Sequence, residues 1–247
     1  MSESSDPYLY PGTDVLRNIP GIRNTEALIE FETLNSGVRM YELSLQPMAG
    51  NFDAAHLKAI HKYIFQDVYP WAGRFRTTLL GKAQFAGEPV THFTPPHLLE
   101  HDAQRILDGL HRASLLKGLS RSEFARKAAH VLVELNNLHP YREGNGRTQR
   151  IFVEALARHA GHAVHFDVVS KERMIRASIL STGGDSTMMV GLFQEVTDPE
   201  RIRPLRRGNR IPGGEPLSVE YYLRTWRRPR PDRNTVASSS AVTAPRS

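Results

Sequence analysis

Residues 139–150, which read HPYREGNGRTQR, constrain this chain more than any other stretch. Apolar residues recur at intervals of three and four on both sides of it, which predicts two buried helices joined at this point. The stretch itself then forms the connecting loop and the first turn of the second helix. It combines an imidazole, a carboxylate, two glycines and several arginines, and this set predicts a site for an anionic ligand.

The glycines and arginines of this stretch suit the binding of phosphate. Gly144 and Gly146 lack a Cβ, so the backbone can bend sharply and approach a ligand closely. The amide groups of Asn145, Gly146 and Arg147 would lie at a helix N-terminus, where unpaired donors and the helix dipole favour an anion. Arg147 and Arg150 are three residues apart, so both guanidinium groups can reach phosphate oxygens from one helix face.

A histidine and a glutamate add acid–base and metal-binding capacity. An imidazole exchanges a proton near neutral pH, which makes His139 a candidate base. Glu143 offers carboxylate oxygens, the ligands that a phosphate-bridging Mg²⁺ prefers. The alternative is a polar loop in which a glycine caps a helix and the arginines are solvated. That alternative explains each residue singly but not the whole set.

The stretch resembles the signature of the Fic family, HPFx[DE]GNGRxxR, at every position but one. Tyr141 stands where the family usually has phenylalanine, and its ring can anchor the loop in the core if its hydroxyl finds a partner. The resemblance covers about residues 8–197. It implies an all-α, mainly helical Fic fold with a small β-hairpin flap.

The resemblance also implies an activity, that of a protein adenylyltransferase (AMPylase), which transfers AMP from ATP to a hydroxyl side chain of a target protein. His139 would be the catalytic base, and Glu143 would hold Mg²⁺ across the α- and β-phosphates. A kinase branch of the superfamily has lysine at the second glycine, so the retained Gly146 favours nucleotidyl transfer. The ATP-binding residues carried over are Gly144, Asn145, Gly146, Arg147, Thr148, Gln149 and Arg150.

A β-hairpin is predicted upstream of the signature. Residues 74–80 and 90–93 are β-branched and aromatic, and a glycine-bearing turn separates them. In Fic relatives the corresponding hairpin is the flap that holds the target's chain, by strand addition at its free edge. An ordinary surface hairpin would be preferred if the signature were absent. The resemblance implies a target-binding flap made of Val90, Thr91, His92 and Phe93.

The chain divides into four segments. Residues 1–24 are predicted to be an arm whose aromatic part, around Tyr8, lies against the core, and residues 25–197 form the Fic domain. Residues 198–233 form an arginine-rich basic extension, and the small polar residues 234–247 are expected to be disordered. The extension could touch nucleic acid, but a solvated or target-facing role is favoured. Helix starts are predicted at Thr25 and after Asp53, Ser120 and Ser170.

Composition bounds the compartment and the partners. The 247 residues contain no cysteine, which excludes disulfides and thiol catalysis. No apolar run approaches the roughly 20 residues that a membrane span requires, and no secretion signal is recognisable at the N-terminus. The net charge of +6 suits a nucleic acid or a nucleotide as a partner but requires neither. We therefore expect a cytoplasmic protein without a membrane partner, and the resemblance to the Fic family implies that it is bacterial.

The resemblance also bears on how the activity is regulated. Many Fic proteins carry an inhibitory helix with the pattern [ST]xxxE[GN], whose glutamate pairs with the second signature arginine, here Arg150. The only glutamate followed by glycine or asparagine in this sequence is Glu143, inside the signature. The resemblance therefore implies a toxin restrained by a small separate antitoxin and directed at bacterial type II topoisomerases. A secreted effector that AMPylates host proteins and a catalytically silent Fic-fold interaction module remain as alternatives.

Overall fold

The structure is a computed structural model that describes residues 6–82 and 91–208. Helices dominate this part of the chain, so the predicted mainly helical fold is confirmed. Three short 3-10 helices, Pro96–Leu98, Ser114–Leu116 and Phe166–Val168, lie between the longer elements. The α-helices are α1 (Thr25–Leu45), α2 (Ala54–Phe65), α3 (Leu99–Arg112), α4 (Arg121–Leu138), α5 (Asn145–His159), α6 (Lys171–Thr182), α7 (Thr187–Val196) and α8 (Pro199–Gly208).

Short polar side chains begin the helices where the sequence predicts them. Asp53 at the start of α2 and Ser170 at the start of α6 each accept a hydrogen bond from the amide three residues on. Ser120 and Glu123 form the predicted capping box before α4. These caps bind amide groups that the first helical turn leaves without a partner, so the helix starts follow from local sequence alone.

α4 is the centre of the core and packs against α3, α5, α6 and α7. Its side chains Phe124, Ala128 and Leu135 are fully buried. α5 also packs against α2, which in turn packs against α1. The two helices on either side of the signature are therefore buried, as predicted, and they hold the loop between them.

α1 buries Leu28, Met40 and Leu43, but it also buries polar side chains and exposes two apolar ones. It runs through Gly37 without a break, but Leu34 and Leu45, two of the apolar positions that give it a helical period, are 52% and 51% exposed. Glu32 and Ser36 are instead buried, at 1% and 0% exposure. The helical period thus predicts the helix correctly but only part of the face that it turns to the interior.

The hairpin is shorter and begins later than predicted. β1 (Gly81–Lys82) pairs antiparallel with β2 (Thr91–His92). The prediction of a strand over residues 74–80 is wrong. Arg76 turns into the interior, where it is 2% exposed, and its amide donates to the carbonyl of Pro140 (2.8 Å) rather than to a neighbouring strand. Val90 and the predicted turn lie outside the described residues.

The N-terminal arm lies against the core, as predicted. Tyr8 packs edge to face on Trp71, with ring centroids 5.5 Å apart, and Leu9 and Tyr10 also contact the core. At the other end, α8 packs on α7 and buries Ile202. Residues 1–5 and 209–247, and with them most of the predicted basic extension and the predicted tail, lie outside the described residues. Among the described helices, none combines the length and hydropathy needed to cross a bilayer.

Candidate active site

His139 ends α4 in a left-handed backbone conformation, with φ 44° and ψ 58°. Its amide donates to the carbonyl of Leu135 (3.1 Å), and its ring Nδ1 lies 3.2 Å from the carbonyl oxygen of Asn136. Because a carbonyl oxygen can only accept, Nδ1 carries the proton in the neutral ring. Nε2 then keeps the lone pair that a general base needs.

The hairpin covers the ring of His139. Phe93, directly after β2, stacks on it with ring centroids 3.9 Å apart and an interplanar angle of 19°. Both residues are nearly buried, His139 at 7% and Phe93 at 9% exposure. Of the predicted flap residues, Thr91 and His92 form β2 and Phe93 contacts the candidate base. Val90, the fourth, is not among the described residues.

Hydrogen bonds between near neighbours close the signature loop. The side chain of Asn145 accepts from the amide of Tyr141 (2.8 Å) and donates to its carbonyl (2.7 Å). The amide and the hydroxyl of Thr148 both donate to the carbonyl of Gly144 (3.1 Å each). The side chain of Gln149 donates to a carbonyl of α4 (2.9 Å). These three side chains, predicted to bind ATP, thus shape the loop from within.

Gly144 begins α5 in a conformation that suits glycine. Its φ is +83°, and a Cβ built there would lie 2.3 Å from the ring of Phe65. The loop therefore rests directly on α2. No side chain of the described residues caps α5, which leaves amide groups of its first turn to an anion.

The two signature arginines have different surroundings. Arg147 is 8% exposed, forms an ion pair with Glu32 and donates to the hydroxyl of Ser36 (2.9 Å). The other carboxylate oxygen of Glu32 accepts from the hydroxyl of Tyr69 (2.8 Å). This buried network fixes Arg147 between α1 and α5. Arg150 is half-buried, and its guanidinium lies over Gly146, 3.4 Å from the position of a Cβ built there.

Glu143 faces the start of α5. Its Oε1 accepts from the amide of Gly144 (2.9 Å) and lies 3.6 Å from Nη2 of Arg147, and its side chain is 20% exposed. No group of three or more histidine, aspartate or glutamate side chains in the described residues could hold a metal ion by itself. Mg²⁺ commonly takes one or two protein carboxylates and completes its shell with phosphates and water. Glu143 therefore fits a Mg²⁺ that is shared with a bound phosphate.

His61 of α2 supports the signature loop. Its Nε2 donates to the carbonyl of Glu143 (3.0 Å), its Nδ1 accepts from the amide of Gly73 (2.8 Å), and its ring stacks on Tyr141 with centroids 3.7 Å apart. This pairing requires the neutral imidazole, and burial lowers the pKa of His61 to about 3. Tyr141 anchors the loop in the core as predicted, but its buried hydroxyl has no hydrogen-bond partner among the described residues.

Sequence reasoning missed the side chains that support the loop from other elements. Besides His61, these include Glu32 and Ser36 on α1, and Arg76, which binds main-chain carbonyls of the loop. Arg142 is a further case, since its guanidinium binds the carboxylate of Asp6 at 2.9 and 3.1 Å. The one signal that the sequence offers is Glu32, a charged residue within the otherwise regular helical pattern of α1.

The model of the Fic/DOC family matches residues 51–157. Protein adenylyltransferase VbhT of Bartonella schoenbuchensis is 41% identical over 193 residues, which cover 77% of this chain and 39% of that protein. The probable protein adenylyltransferase y4lH of Sinorhizobium fredii is 39% identical, covering 73% and 90% of the two chains. The probable protein adenylyltransferase Fic of Escherichia coli K12 is 33% identical, covering 79% and 94%. The chain thus spans about two fifths of VbhT but most of the other two relatives.

Solved structures give the same fold. The BepC effector protein of Bartonella tribocorum, with bound AMPPNP, superposes with a TM-score of 0.71 at 34% identity, covering 78% of this chain and 96% of that one. The type IV secretion system effector protein BepA superposes with a TM-score of 0.75 at 34% identity, covering 87% and 76%. An ADP-bound Fic domain from Bartonella quintana has a TM-score of 0.71 at 33% identity, covering 78% and 94%.

Proposed function

The chain belongs to the Fic/DOC family, and from this premise we propose that it is a protein adenylyltransferase that moves AMP from ATP to a hydroxyl side chain of a target protein. The observation that carries the proposal is the placement of His139. Its Nδ1–H faces the carbonyl of Asn136, so in the neutral ring Nε2 carries the lone pair, on the loop that leads into the N-terminus of α5. A base and an anion site beside each other are what this reaction requires.

His139 would take the proton of the target's tyrosine, serine or threonine hydroxyl at Nε2. As that oxygen forms its bond to the α-phosphorus of ATP, the bond from this phosphorus to the bridging oxygen breaks, and pyrophosphate leaves. The protein contributes mainly position and charge to such a step. The retained Gly146, where a kinase branch of the superfamily has lysine, supports attack at the α-phosphorus rather than at the γ-phosphorus.

The phosphates would lie at the start of α5. The first-turn amide groups and Arg150 would bind their oxygens, and the buried Arg147 would add positive charge from a fixed position. Mg²⁺, held by Glu143, would supply further charge on the phosphate oxygens when bound. The bound AMPPNP and ADP in two related structures support a nucleotide at this site.

Replacing the proposed base tests the assignment. We expect His139→Ala to lower the rate of AMP transfer by about 10²–10⁴-fold, the usual contribution of a general base. The fold should persist, because the substitution removes the ring that stacks on Phe93 but keeps the main-chain bonds of this residue. His101→Ala is the control, since that side chain is 76% exposed on α3. A His139→Ala variant that keeps more than about a tenth of the wild-type rate would contradict the role of His139.

We also propose that the protein is a bacterial cytoplasmic toxin, restrained by a separate antitoxin and directed at type II topoisomerases. In the family pattern the inhibitory glutamate pairs with the second signature arginine, so an incoming carboxylate would address Arg150. A partner helix with the pattern [ST]xxxE[GN] would place its glutamate on that guanidinium in a charge-assisted contact. It would then block the position of the γ-phosphate and misplace the α-phosphorus.

Expression in bacteria tests the toxin role. We expect growth arrest from the wild-type chain alone, relief by a co-expressed antitoxin, and renewed arrest when the antitoxin's glutamate is changed to glycine. Purified gyrase and topoisomerase IV are the targets to assay. Vigorous growth of cells that make active wild-type protein would contradict the toxin role.

A secreted effector that modifies host proteins is the second candidate function. The similarity to BepC, described as a VirB-translocated effector, and to the effector BepA favours it. Labelling of proteins in a host-cell lysate, without labelling in a bacterial lysate, would support this candidate over the toxin.

A further inference from the structure

Arg76 lies between the hairpin and the signature loop and is 2% exposed. Its guanidinium donates to three main-chain carbonyls, those of His139 (2.9 Å), Thr78 (2.8 Å) and Thr94 (2.5 Å). Its own amide donates to the carbonyl of Pro140 (2.8 Å). One residue is therefore bonded to both sides of the hairpin and to two consecutive residues of the loop.

The partners of this buried cation are all neutral. Within the described residues Arg76 forms no ion pair, and burial lowers its pKa. Burying a charge without a counter-ion is unfavourable unless hydrogen bonds compensate for it. An apolar side chain of similar size would fill the space at a lower cost in free energy. The geometry of the guanidinium, a planar group with five donors in a fixed fork, explains why an arginine is useful at this point.

The three carbonyls belong to segments that must keep a fixed relation. His139 has a left-handed backbone, unusual for a residue with a side chain, and the bond to Arg76 fixes the direction of its carbonyl. Thr78 precedes β1 and Thr94 follows β2, so they are the two roots of the hairpin. Phe93, beside Thr94, stacks on the imidazole.

We propose that Arg76 is a positioning residue that joins the two roots of the hairpin to the backbone of His139, so that a target segment held by the hairpin stays aligned with the base. This inference rests on the proposed adenylyl transfer. Arg76 itself does not contact substrate. It acts through the carbonyls that it holds.

Transfer kinetics test this role with three variants. Arg76→Gln removes the charge and most of the fork, and Arg76→Lys keeps the charge but replaces the three nitrogens of the planar fork with one. Arg74→Gln, at an exposed position two residues earlier, is the matched control. For both Arg76 variants we expect kcat to fall by about 100-fold, the effect of misplacing a catalytic group by about 1 Å. KM for the target protein should rise, and the dissociation constant for ATP should not change.

Several outcomes would overturn the proposal. They are a wild-type rate for Arg76→Lys, an equal loss in Arg74→Gln, or a loss of ATP affinity in step with the rate. The first would mean that charge alone matters, and the last that Arg76 supports the nucleotide site.

Hydrogen exchange of the wild-type protein tests the same claim without a variant and without turnover. If Arg76 joins these segments, the amides of Phe93, Thr94 and His139 should exchange at similar rates and share one opening free energy. Exchange of Phe93 and Thr94 much faster than that of His139 would refute the linkage. This result is independent of whether AMP transfer is observed, so a failure of the proposed function and a failure of this inference can be told apart.

Discussion

The signature loop and the hairpin pack against each other, yet different interactions hold them. Two of the side chains that close the loop bond to residues four positions away, Asn145 to Tyr141 and Thr148 to Gly144. The hairpin has two short strands, and it is fixed to the site by Arg76, whose partner His139 lies 63 positions away. Part of the loop's shape can therefore form locally once its helices are packed. The hairpin takes its position from the loop.

The largest expected effect on stability is at Glu32, a residue of α1 that pairs with Arg147 of the signature. Glu32→Gln keeps the shape of the side chain but leaves the buried Arg147 without its main counter-ion. Removing one partner of a buried ion pair costs about 3–5 kcal/mol, so we expect a loss of this order in the free energy of unfolding in urea. Glu30→Gln, at an exposed position on the same helix, is the control. Equal stability of the two variants would show that α1 is not needed to hold the loop.

A second substitution acts on the turn itself. At Gly144 a Cβ would be strained by a φ of +83° and would meet the ring of Phe65 at 2.3 Å, whereas at Gly161 the φ is +82° and nothing lies within 4 Å. We expect Gly144→Ala to lower the free energy of unfolding by about 2–4 kcal/mol, from strain and overpacking together. Gly161→Ala should cost about 1 kcal/mol, from the backbone alone. Equal losses would mean that the contact with Phe65 does not constrain the loop.

Acid should loosen the loop through His61. Its pKa falls from 6.5 to about 3 on folding, because burial disfavours the charged ring. Between these two values the unfolded chain binds a proton that the folded chain does not. The free energy of unfolding is therefore independent of His61 above pH 6.5 and falls as the pH drops below it. We expect His61 to remove about 1.4 kcal/mol for each pH unit between 6.5 and 3. His61→Gln can keep both hydrogen bonds without titrating, so its unfolding free energy should fall less steeply. Parallel curves for the two proteins would contradict this assignment.

The smallest effect on stability is expected in the hairpin. Leu79, just before β1, is 77% exposed, and surface substitutions usually change stability by no more than about 0.5 kcal/mol. We expect Leu79→Ser to unfold like the wild type but to raise KM for the target protein. Destabilisation as large as that of Gly144→Ala would show that the hairpin supports the loop, which is the reverse of the proposed dependence.

The difference between contacts within a few residues and contacts between distant residues also explains how far the sequence predicts the structure. The caps at Asp53, Ser120 and Ser170 and the loop before α5 follow from residues a few positions apart, and they were predicted correctly. The strand over residues 74–80 was predicted from β-branched and aromatic composition and is wrong, because Arg76 bonds to a loop that lies far along the chain. Glu32 and His61 were missed for the same reason. Their partners are fixed only by tertiary packing, which no local pattern reports.

The central claim, adenylyl transfer at His139, can be tested with one labelling experiment. Wild-type protein and the His139→Ala variant are each incubated with Mg²⁺, a bacterial lysate and ATP labelled with ³²P at either the α- or the γ-phosphate. We predict label on a target protein from α-labelled ATP and wild-type protein only, with release of pyrophosphate. Label from γ-labelled ATP would instead identify a kinase, and equal α-labelling by His139→Ala would contradict the proposed base.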